Sequence, residues 1–167
     1  RFAKMSYYPT LLLDKISALH LTPEQREMRA MWHDIFGDEI AEIDSFLIRH
    51  TDALPMIHKE DERVVSMLYI VPLQMWEQRV AYIYAVATLP EYRGRGIASK
   101  LLNEALRHIT ESGEFDCAAL IPSSTESKRL YERLGFEDRQ KQMLFPANDY
   151  LGTGSVPHDL AMIKLFK

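Results

Sequence analysis

Two helical patterns of apolar and polar residues follow the first twenty residues of the chain. The first helix is predicted to begin at Thr22-Pro23-Glu24-Gln25, because threonine caps a helix, proline suits its first position and glutamine closes a capping box. Apolar residues then recur at helical spacing as far as Gly37, a natural stop. A second helix is predicted from Asp38. For the segment 11–19 the pattern leaves helix and strand both open.

The rest of the chain alternates between strand and helix patterns. Strands are predicted at 56–58, 64–71, 80–88, 115–121, 136–145 and 160–166, with a turn at 60–62 and a loop at 72–78. Helices are predicted from Ile97 to Gly113, and from a capping box at Ser123-Ser124-Thr125-Glu126 to Gly135. This order indicates one α/β domain over 1–167, with a mixed sheet and helices on both faces.

Composition restricts the function classes. The chain has 167 residues, 47% of them hydrophobic and 26% charged, and its net charge of -4 gives no support for a nucleic-acid partner. The single cysteine, Cys117, excludes an internal disulfide and favours a reducing, cytoplasmic location. The apolar stretches are too short for a membrane span or a signal peptide, so no membrane is expected. The histidines are scattered, so no metal site is expected.

A glycine-spaced turn is the strongest chemical signal. A buried strand runs into Arg93-Gly94-Arg95-Gly96-Ile97-Ala98, where an amphipathic helix begins. The first N–H groups of a helix lack internal partners, its dipole attracts anions, and glycines let a phosphate approach the backbone. With two arginines, these features predict a diphosphate site. A P-loop is excluded, and Ser99 stands where a dinucleotide fingerprint needs glycine. The alternative is a tight turn with two solvated arginines.

Two motifs resemble a known family. The run 87–102 resembles the acetyl-CoA-binding motif of the GNAT superfamily, Arg/Gln-x-x-Gly-x-Gly/Ala, matched by Arg93, Gly96 and Ala98. Downstream, the run 130–136 looks like the family's "LYERLGF" helix end. The resemblance implies a mixed, mostly antiparallel sheet flanked by helices on both faces. It also implies an N-acetyltransferase, monomeric or homodimeric, with acetyl-CoA as co-substrate and no metal.

The resemblance also implies which residues hold the cofactor. One backbone N–H of the strand end would polarise the thioester carbonyl, and the turn would hold the pyrophosphate. The implied cofactor-binding residues are Val86, Ala87, Thr88, Arg93, Gly94, Arg95, Gly96, Ile97, Ala98, Ser99 and Ser124. The family commonly has Asn and Ala where this chain has Ser124 and Ser127, which puts the Ser124 contact with the pantetheine arm in doubt.

Acid and base groups are less clearly marked. By its place in the second motif, Tyr131 is the expected general acid that protonates the leaving sulfur, although its helical face also suits a core tyrosine. Many members carry a glutamate on the strand before the turn, where this chain has Tyr82 and Tyr84. The base is therefore water, Tyr84 or one of three carboxylates on the helical arm. These carboxylates belong to Glu39, Glu42 and Asp44.

The acceptor is not identified by any motif. A small-molecule or peptide amine is expected from the resemblance, and a cationic primary amine is the sharper hypothesis. The segment 38–62 holds eight acidic residues against Arg49 and Lys59, which would attract a protonated amine, and the loop 146–157 would close over it. The alternative is a solvated acidic surface. A non-catalytic acyl-CoA-binding module, a longer acyl chain and an alcohol acceptor also stay open.

Overall fold

A computed structural model describes residues 19–75, 77–138 and 162–166. The described residues belong to two compact units, one covering 19–51 and the other covering 52–138 without residue 76, together with 162–166. Three sequence predictions lie outside the described residues. They concern the segment 11–19 apart from its last residue, most of the strand 136–145, and the loop 146–157.

The first unit contains helices α1 (Pro23–Phe36) and α2 (Ile40–Arg49). The predicted capping box of α1 is confirmed, since the amide of Gln25 donates to Thr22 Oγ1 at 3.2 Å and the amide of Thr22 donates to Gln25 Oε1 at 2.9 Å. Helix α2 begins later than predicted. Asp38 instead accepts a hydrogen bond from Trp32 Nε1 at 2.7 Å, so this residue ties the connection back to α1 rather than starting α2.

The second unit is built on a six-stranded sheet. Its strands are β1 (Leu54–Glu60), β2 (Arg63–Met75), β3 (Gln78–Thr88), β4 (Cys117–Leu120), β5 (Glu137–Asp138) and β6 (Met162–Leu165). The order of the described strands across the sheet is β1-β2-β3-β4-β6-β5, and among them only the β3–β4 pair is parallel. A mixed, mostly antiparallel sheet is therefore confirmed. It is flanked by helices, among them α3 (Ile97–Ser112) and α4 (Thr125–Arg133).

The core of the second unit lies between α3 and the sheet. Five apolar side chains of α3 fall at helical spacing and pack with buried residues of β2, β3 and β4. These α3 residues are Leu101, Leu102, Ala105, Leu106 and Ile109. Fully burying a leucine or isoleucine contributes about 1.5–3 kcal/mol, so this stripe fixes α3 firmly on the sheet. The start of α3 is thereby held at the end of β3.

Two further predictions about element bounds are corrected by the structure. The loop predicted at 72–78 is too long, because β2 continues through Met75, with Pro72 opposite Ala81, and β3 begins at Gln78. Strand β1 pairs with β2 only as far as Ile70, so the missing N–H of Pro72 falls where β2 has no partner on that side. The cap of α4 lies one residue later than predicted, at Ser124, whose Oγ accepts from the amide of Ser127 at 3.1 Å.

No helix in the part of the chain that the structure describes is both long and apolar enough to cross a membrane.

Candidate active site

The parallel strands β3 and β4 share only a short stretch of pairing. Their register covers Val80 to Tyr82 on β3, and β4 ends at Leu120, whereas β3 continues to Thr88. Within the described ranges, the last six residues of β3 pair with β2 on one side and with no strand on the other. Asp116 joins the two strands at the closed end, where it accepts from the amide of Arg79 at 2.8 Å. The open end of β3 is thus an edge with backbone groups to offer.

A bulge interrupts β3 just before its end. The register with β2 shifts between Met67, opposite Ala87, and Tyr69, opposite Tyr84. Two residues of β3, Ala85 and Val86, therefore face a single residue of β2. Ala85 has a φ of 53°, in the left-handed region that non-glycine residues rarely adopt. The bulge changes which side of β3 each later peptide faces.

Backbone hydrogen bonds show how the end of β3 is oriented. The amide of Leu89 donates to Val65 O of β2 at 2.9 Å. Because backbone groups of successive strand residues point to opposite edges, Ala87 also faces β2, while the N–H groups of Val86 and Thr88 face the open edge. The carbonyl of Thr88 accepts a hydrogen bond from Arg93 Nε at 3.0 Å, which is consistent with Thr88 facing the open edge.

The turn after β3 leaves the start of α3 open to a ligand. Gly94 and Gly96 both have a φ of 75°, and a Cβ built on either would meet no atom within 4 Å. Gly96 is the N-cap of α3 and has no side chain to satisfy the first amides of the helix. Those amides belong to Ile97, Ala98 and Ser99. The Ile97 side chain is buried in the core, so this residue has only its backbone to offer.

The two arginines of the turn are exposed, and each donates a hydrogen bond to a backbone carbonyl of the preceding segment. Arg93 bonds the Thr88 carbonyl through Nε. Arg95 donates to Glu91 O at 3.0 Å, lies over the Tyr92 ring at 4.9 Å from its centroid and approaches Glu60 at 3.9 Å. The Arg95–Glu60 pair is exposed, and such pairs are worth about 0–1 kcal/mol, so Arg95 can turn toward an anion at little cost.

Tyr131 is buried on α4. Its side chain belongs to the core of the second unit, and its ring lies 6.1 Å from that of Phe136 in an edge-on arrangement. Burial raises the pKa of Tyr131 to about 12. The residue is therefore packed as a core tyrosine would be, and it keeps its hydroxyl proton at neutral pH.

Two more tyrosines line β3 near the point where it leaves β4. Tyr82 is the last β3 residue in register with β4, and its ring lies 5.6 Å from that of Tyr84. Burial raises the pKa of Tyr82, and the negative charges of Tyr84 and Tyr131, once ionised, raise it further.

The candidate carboxylates of the first unit differ in their partners. Asp44 is buried and pairs with Arg29 Nη1 at 2.9 and 3.1 Å, which assigns its charge to an internal ion pair. Glu42 accepts from the amide of Glu39 at 3.3 Å, at the start of α2. Among the described residues, no group of three or more His, Cys, Asp or Glu side chains is placed to hold a metal ion.

The hydroxyl of Ser124 caps α4 by accepting the amide of Ser127. A contact between Ser124 and the cofactor arm stays a prediction, and the same hydroxyl would have to serve both partners.

Sequence reasoning missed Ser66. This fully buried side chain on β2 bonds both Ala87 O, at 3.0 Å, and Thr88 Oγ1, at 2.9 Å. A lone polar residue inside the apolar run 64–71 was the available signal.

Comparison with known proteins points to one family. The model of the "Acetyltransferase (GNAT) family" matches residues 16–136. Over 106 residues, the chain is 29% identical to an L-2,4-diaminobutyric acid acetyltransferase of Halalkalibacterium halodurans, which covers 57% of this chain. The chain spans about half the length of that curated relative, 54%.

Solved structures share the fold. A GNAT family N-acetyltransferase from Escherichia coli, in complex with CoA, matches with a TM-score of 0.61 and 18% identity over 87% of this chain and 78% of that one. A GNAT family acetyltransferase from Brucella melitensis, in complex with acetyl-CoA, matches with a TM-score of 0.59 and 17% identity over 89% and 86% of the two chains.

Proposed function

Because the chain belongs to the acetyltransferase (GNAT) family, we propose that it moves an acetyl group from acetyl-CoA directly to a primary amine. The observation that carries this proposal is the juxtaposition of two unused sets of backbone donors. The open edge of β3 ends at Thr88, and the uncapped start of α3 follows at Ile97. One set suits an extended amide-bearing arm, and the other suits a diphosphate.

The cofactor would lie along these donors. The N–H groups of Val86 and Thr88 face the open edge and would bond the pantetheine arm and the thioester carbonyl. Ala87, whose backbone faces β2, would make only van der Waals contact with the arm. The amides of Ile97, Ala98 and Ser99 would hold the pyrophosphate, with Gly94 and Gly96 leaving it room. Arg93 would add the two terminal nitrogens of its guanidinium group, and Arg95 would turn from its exposed contacts.

The reaction is a direct acyl transfer. A neutral amine nitrogen attacks the thioester carbonyl carbon, the new C–N bond forms, and the C–S bond breaks. The amine loses one proton, and the leaving sulfur gains one to become the thiol of coenzyme A. Negative charge that develops on the carbonyl oxygen would be stabilised by a backbone N–H at the end of β3, as in other acyl transfers.

Tyr131 would serve the leaving sulfur. With a pKa of about 12 it holds its proton at neutral pH, so its hydroxyl is a ready donor. An ordinary thiol, with a pKa of about 8.5, is the stronger acid, so full transfer is favourable only if the site also raises the pKa of the thiol. Tyr131 would therefore act first as a hydrogen-bond donor that stabilises the sulfur as the C–S bond breaks.

The general base would act near the bulge of β3. Tyr84 is only half-buried, lies beside Tyr82 and directly precedes the bulge. A water molecule held by this hydroxyl would carry the amine proton away. Asp44 is a poor choice of base because its charge is committed to Arg29. Glu39 and Glu42 remain predictions from the sequence.

A cationic primary amine is the proposed acceptor. The named activity of the Halalkalibacterium relative supports it, because L-2,4-diaminobutyric acid carries amino groups. The acidic composition of the segment 38–62 points the same way. A cytoplasmic location, a single domain and a monomeric or homodimeric state are parts of the same proposal.

Thiol release from acetyl-CoA in the presence of an amine panel tests the proposal. The panel should contain diamines, diamino acids, monoamines, an aminoacyl peptide and an amino alcohol, with acetyl-CoA alone as the blank. Amine-dependent release that Gly96→Asp abolishes is expected, because that change places negative charge where the phosphates bind. If wild-type protein binds coenzyme A tightly but releases no thiol with any acceptor, the protein is instead a non-catalytic acyl-CoA-binding module.

A further inference from the structure

Lys164 is a residue of β6 whose ammonium group reaches the end of helix α4. Its Nζ donates a hydrogen bond to Leu134 O at 2.6 Å, although the two residues are 30 positions apart in the sequence. The last carbonyls of a helix lack amide partners and carry partial negative charge, so a cation beside them is stabilising. A bond from an ammonium group is also stronger than one between neutral groups. Lys164 therefore fastens the end of α4 to the sheet.

The glycine that follows α4 makes room for this contact. Gly135 has a φ of 88°, in the left-handed region that favours glycine, and a Cβ built on it would lie 2.8 Å from Lys164 Nζ. For the other four glycines that the structure describes, such a Cβ would meet no atom within 4 Å. Gly135 is thus set apart by a close neighbour, and that neighbour is the ammonium group.

The turn that Lys164 holds also holds the backbone of Tyr131. The carbonyl of Tyr131 accepts two hydrogen bonds at 3.0 Å, one from the amide of Leu134 and one from the amide of Phe136. Leu134 therefore bonds Tyr131 through its N–H and Lys164 through its carbonyl. Because the peptide units of the turn are planar and joined in series, a displacement of the turn would move the backbone of Tyr131 with it.

Lys164 reaches the turn from the face of the sheet on which Tyr131 is packed. Met162 and Lys164 are two positions apart on β6, so their side chains point to the same face. Met162 is buried in the core cluster that also contains Tyr131 and Phe136. The ring of Phe136, the last residue of the turn, lies 6.1 Å from the Tyr131 ring. The turn thus contacts Tyr131 through its backbone and through one of its side chains.

We infer that Lys164 is a positioning residue that holds Tyr131 at the place where it serves the leaving sulfur. The inference rests on the proposed function, because that function makes Tyr131 the donor to the sulfur. Lys164 acts through the backbone of the turn and transfers no proton itself. Its effect on the rate follows from geometry, since a misplacement of about 1 Å can cost about 100-fold in an active site.

Two substitutions release the turn in different ways. Lys164→Met keeps an unbranched side chain of similar length and removes the ammonium donor. Gly135→Ala keeps the lysine but adds a methyl group 2.8 Å from the present position of its Nζ, so the ammonium group must move away. This second variant decides the matter if Lys164→Met fails to fold.

Each variant has a matched control. Lys128→Met also removes a lysine that bonds near α4, but Lys128 bonds the side chain of Asp138, at 2.7 Å, and not the turn. That pair is partly exposed, and exposed ion pairs contribute little to stability. Gly113→Ala reproduces the backbone strain of Gly135→Ala, because Gly113 has a φ of 65° and open space around its Cβ position.

The readout is the single-turnover rate of acetyl transfer to the best amine of the panel, measured for each change in wild type and again in Tyr131→Phe. A general acid contributes about 10²–10⁴-fold, so a misplaced donor should cost about 10–100-fold. Lys164→Met and Gly135→Ala should show that loss in wild type, with acetyl-CoA affinity unchanged. In Tyr131→Phe, where no donor is left to position, each should cost less than about twofold. Both controls should match their parent proteins.

The outcomes separate this inference from the proposed function. If Lys164→Met slows the reaction by the same factor with and without the Tyr131 hydroxyl, or in neither case, the role of Lys164 is refuted while the proposed function stands. If Tyr131→Phe keeps the wild-type rate, the inference fails together with the role of Tyr131, but acetyl transfer itself stands. If no amine of the panel is acetylated, the proposed function fails and the inference fails with it.

Discussion

Gly96→Ala is the most discriminating single change in the turn. Gly96 has a φ of 75°, so any other residue there is strained, but an added Cβ would meet no protein atom within 4 Å. In the free protein the change therefore costs only backbone strain, about 1–2 kcal/mol for a residue in the left-handed region. With cofactor bound, the same methyl group would occupy the space in which the pyrophosphate approaches the backbone.

Gly113→Ala is the matched control for that strain. Gly113 ends the same helix with a φ of 65°, and a Cβ there also meets nothing within 4 Å. Both variants should lose similar stability, and at roughly 2–4 °C per kcal/mol for a chain of this size the loss is measurable as Tm. Only Gly96→Ala should lose affinity. A hydrogen bond to a charged group is worth about 1.5–3 kcal/mol, so one lost phosphate contact predicts about 10–100-fold weaker binding.

Calorimetric titration with coenzyme A, run beside thermal denaturation of the three proteins, decides the matter. We expect Gly96→Ala and Gly113→Ala to lower Tm equally, and only Gly96→Ala to lose affinity for coenzyme A. Equal coenzyme A affinity in Gly96→Ala and Gly113→Ala would refute the assignment of the turn as the pyrophosphate site, whatever the stability of the two variants.

Three further predictions follow from the site. Tyr131→Phe should lower turnover by about 10²–10⁴-fold with acetyl-CoA affinity unchanged, and a wild-type rate with a chemistry-limited acceptor would leave Tyr131 a core residue. Burial raises the pKa of Tyr131 and of Tyr69 to about 12, so the stability that each contributes is complete below about pH 10 and is lost as pH rises toward 12. At about 1.4 kcal/mol per pKa unit this is roughly 3 kcal/mol each, and denaturant titrations should show a smaller alkaline loss in Tyr131→Phe than in wild type. The KM for a cationic amine should rise with added salt and in the Glu39→Gln, Glu42→Gln double variant; a preferred anionic acceptor would contradict this.

Much of the fold could be predicted because its signals are local. The cap at Thr22, the stop at Gly37 and the apolar stripe of α3 each depend on residues a few positions apart, and the structure has them all. The length of β2 could not be predicted, because Pro72 is tolerated only where β1 no longer pairs with β2. The cap of α4 was misplaced by one residue because Ser123 and Ser124 both fit the sequence pattern of a helix cap.

The candidate site divides in the same way. The glycine turn is visible in sequence because a left-handed φ at two positions demands glycine. The roles of Ser66 and Asp44 are not visible, because each depends on a partner far along the chain. Ser66 bonds residues 21 and 22 positions away, and Asp44 bonds an arginine 15 positions away. Strand register and helix packing determine those contacts, and neither can be predicted from a short sequence motif.

Mass spectrometry of a reaction with isotopically labelled acetyl-CoA tests the central claim most directly. The account predicts that label appears on the amine acceptor in equal amount to the coenzyme A thiol released, with none on the protein at any time, because transfer is direct. Stable label on the chain, for example on the buried Cys117, would contradict direct transfer, and thiol release without labelled amine would contradict the proposed reaction itself.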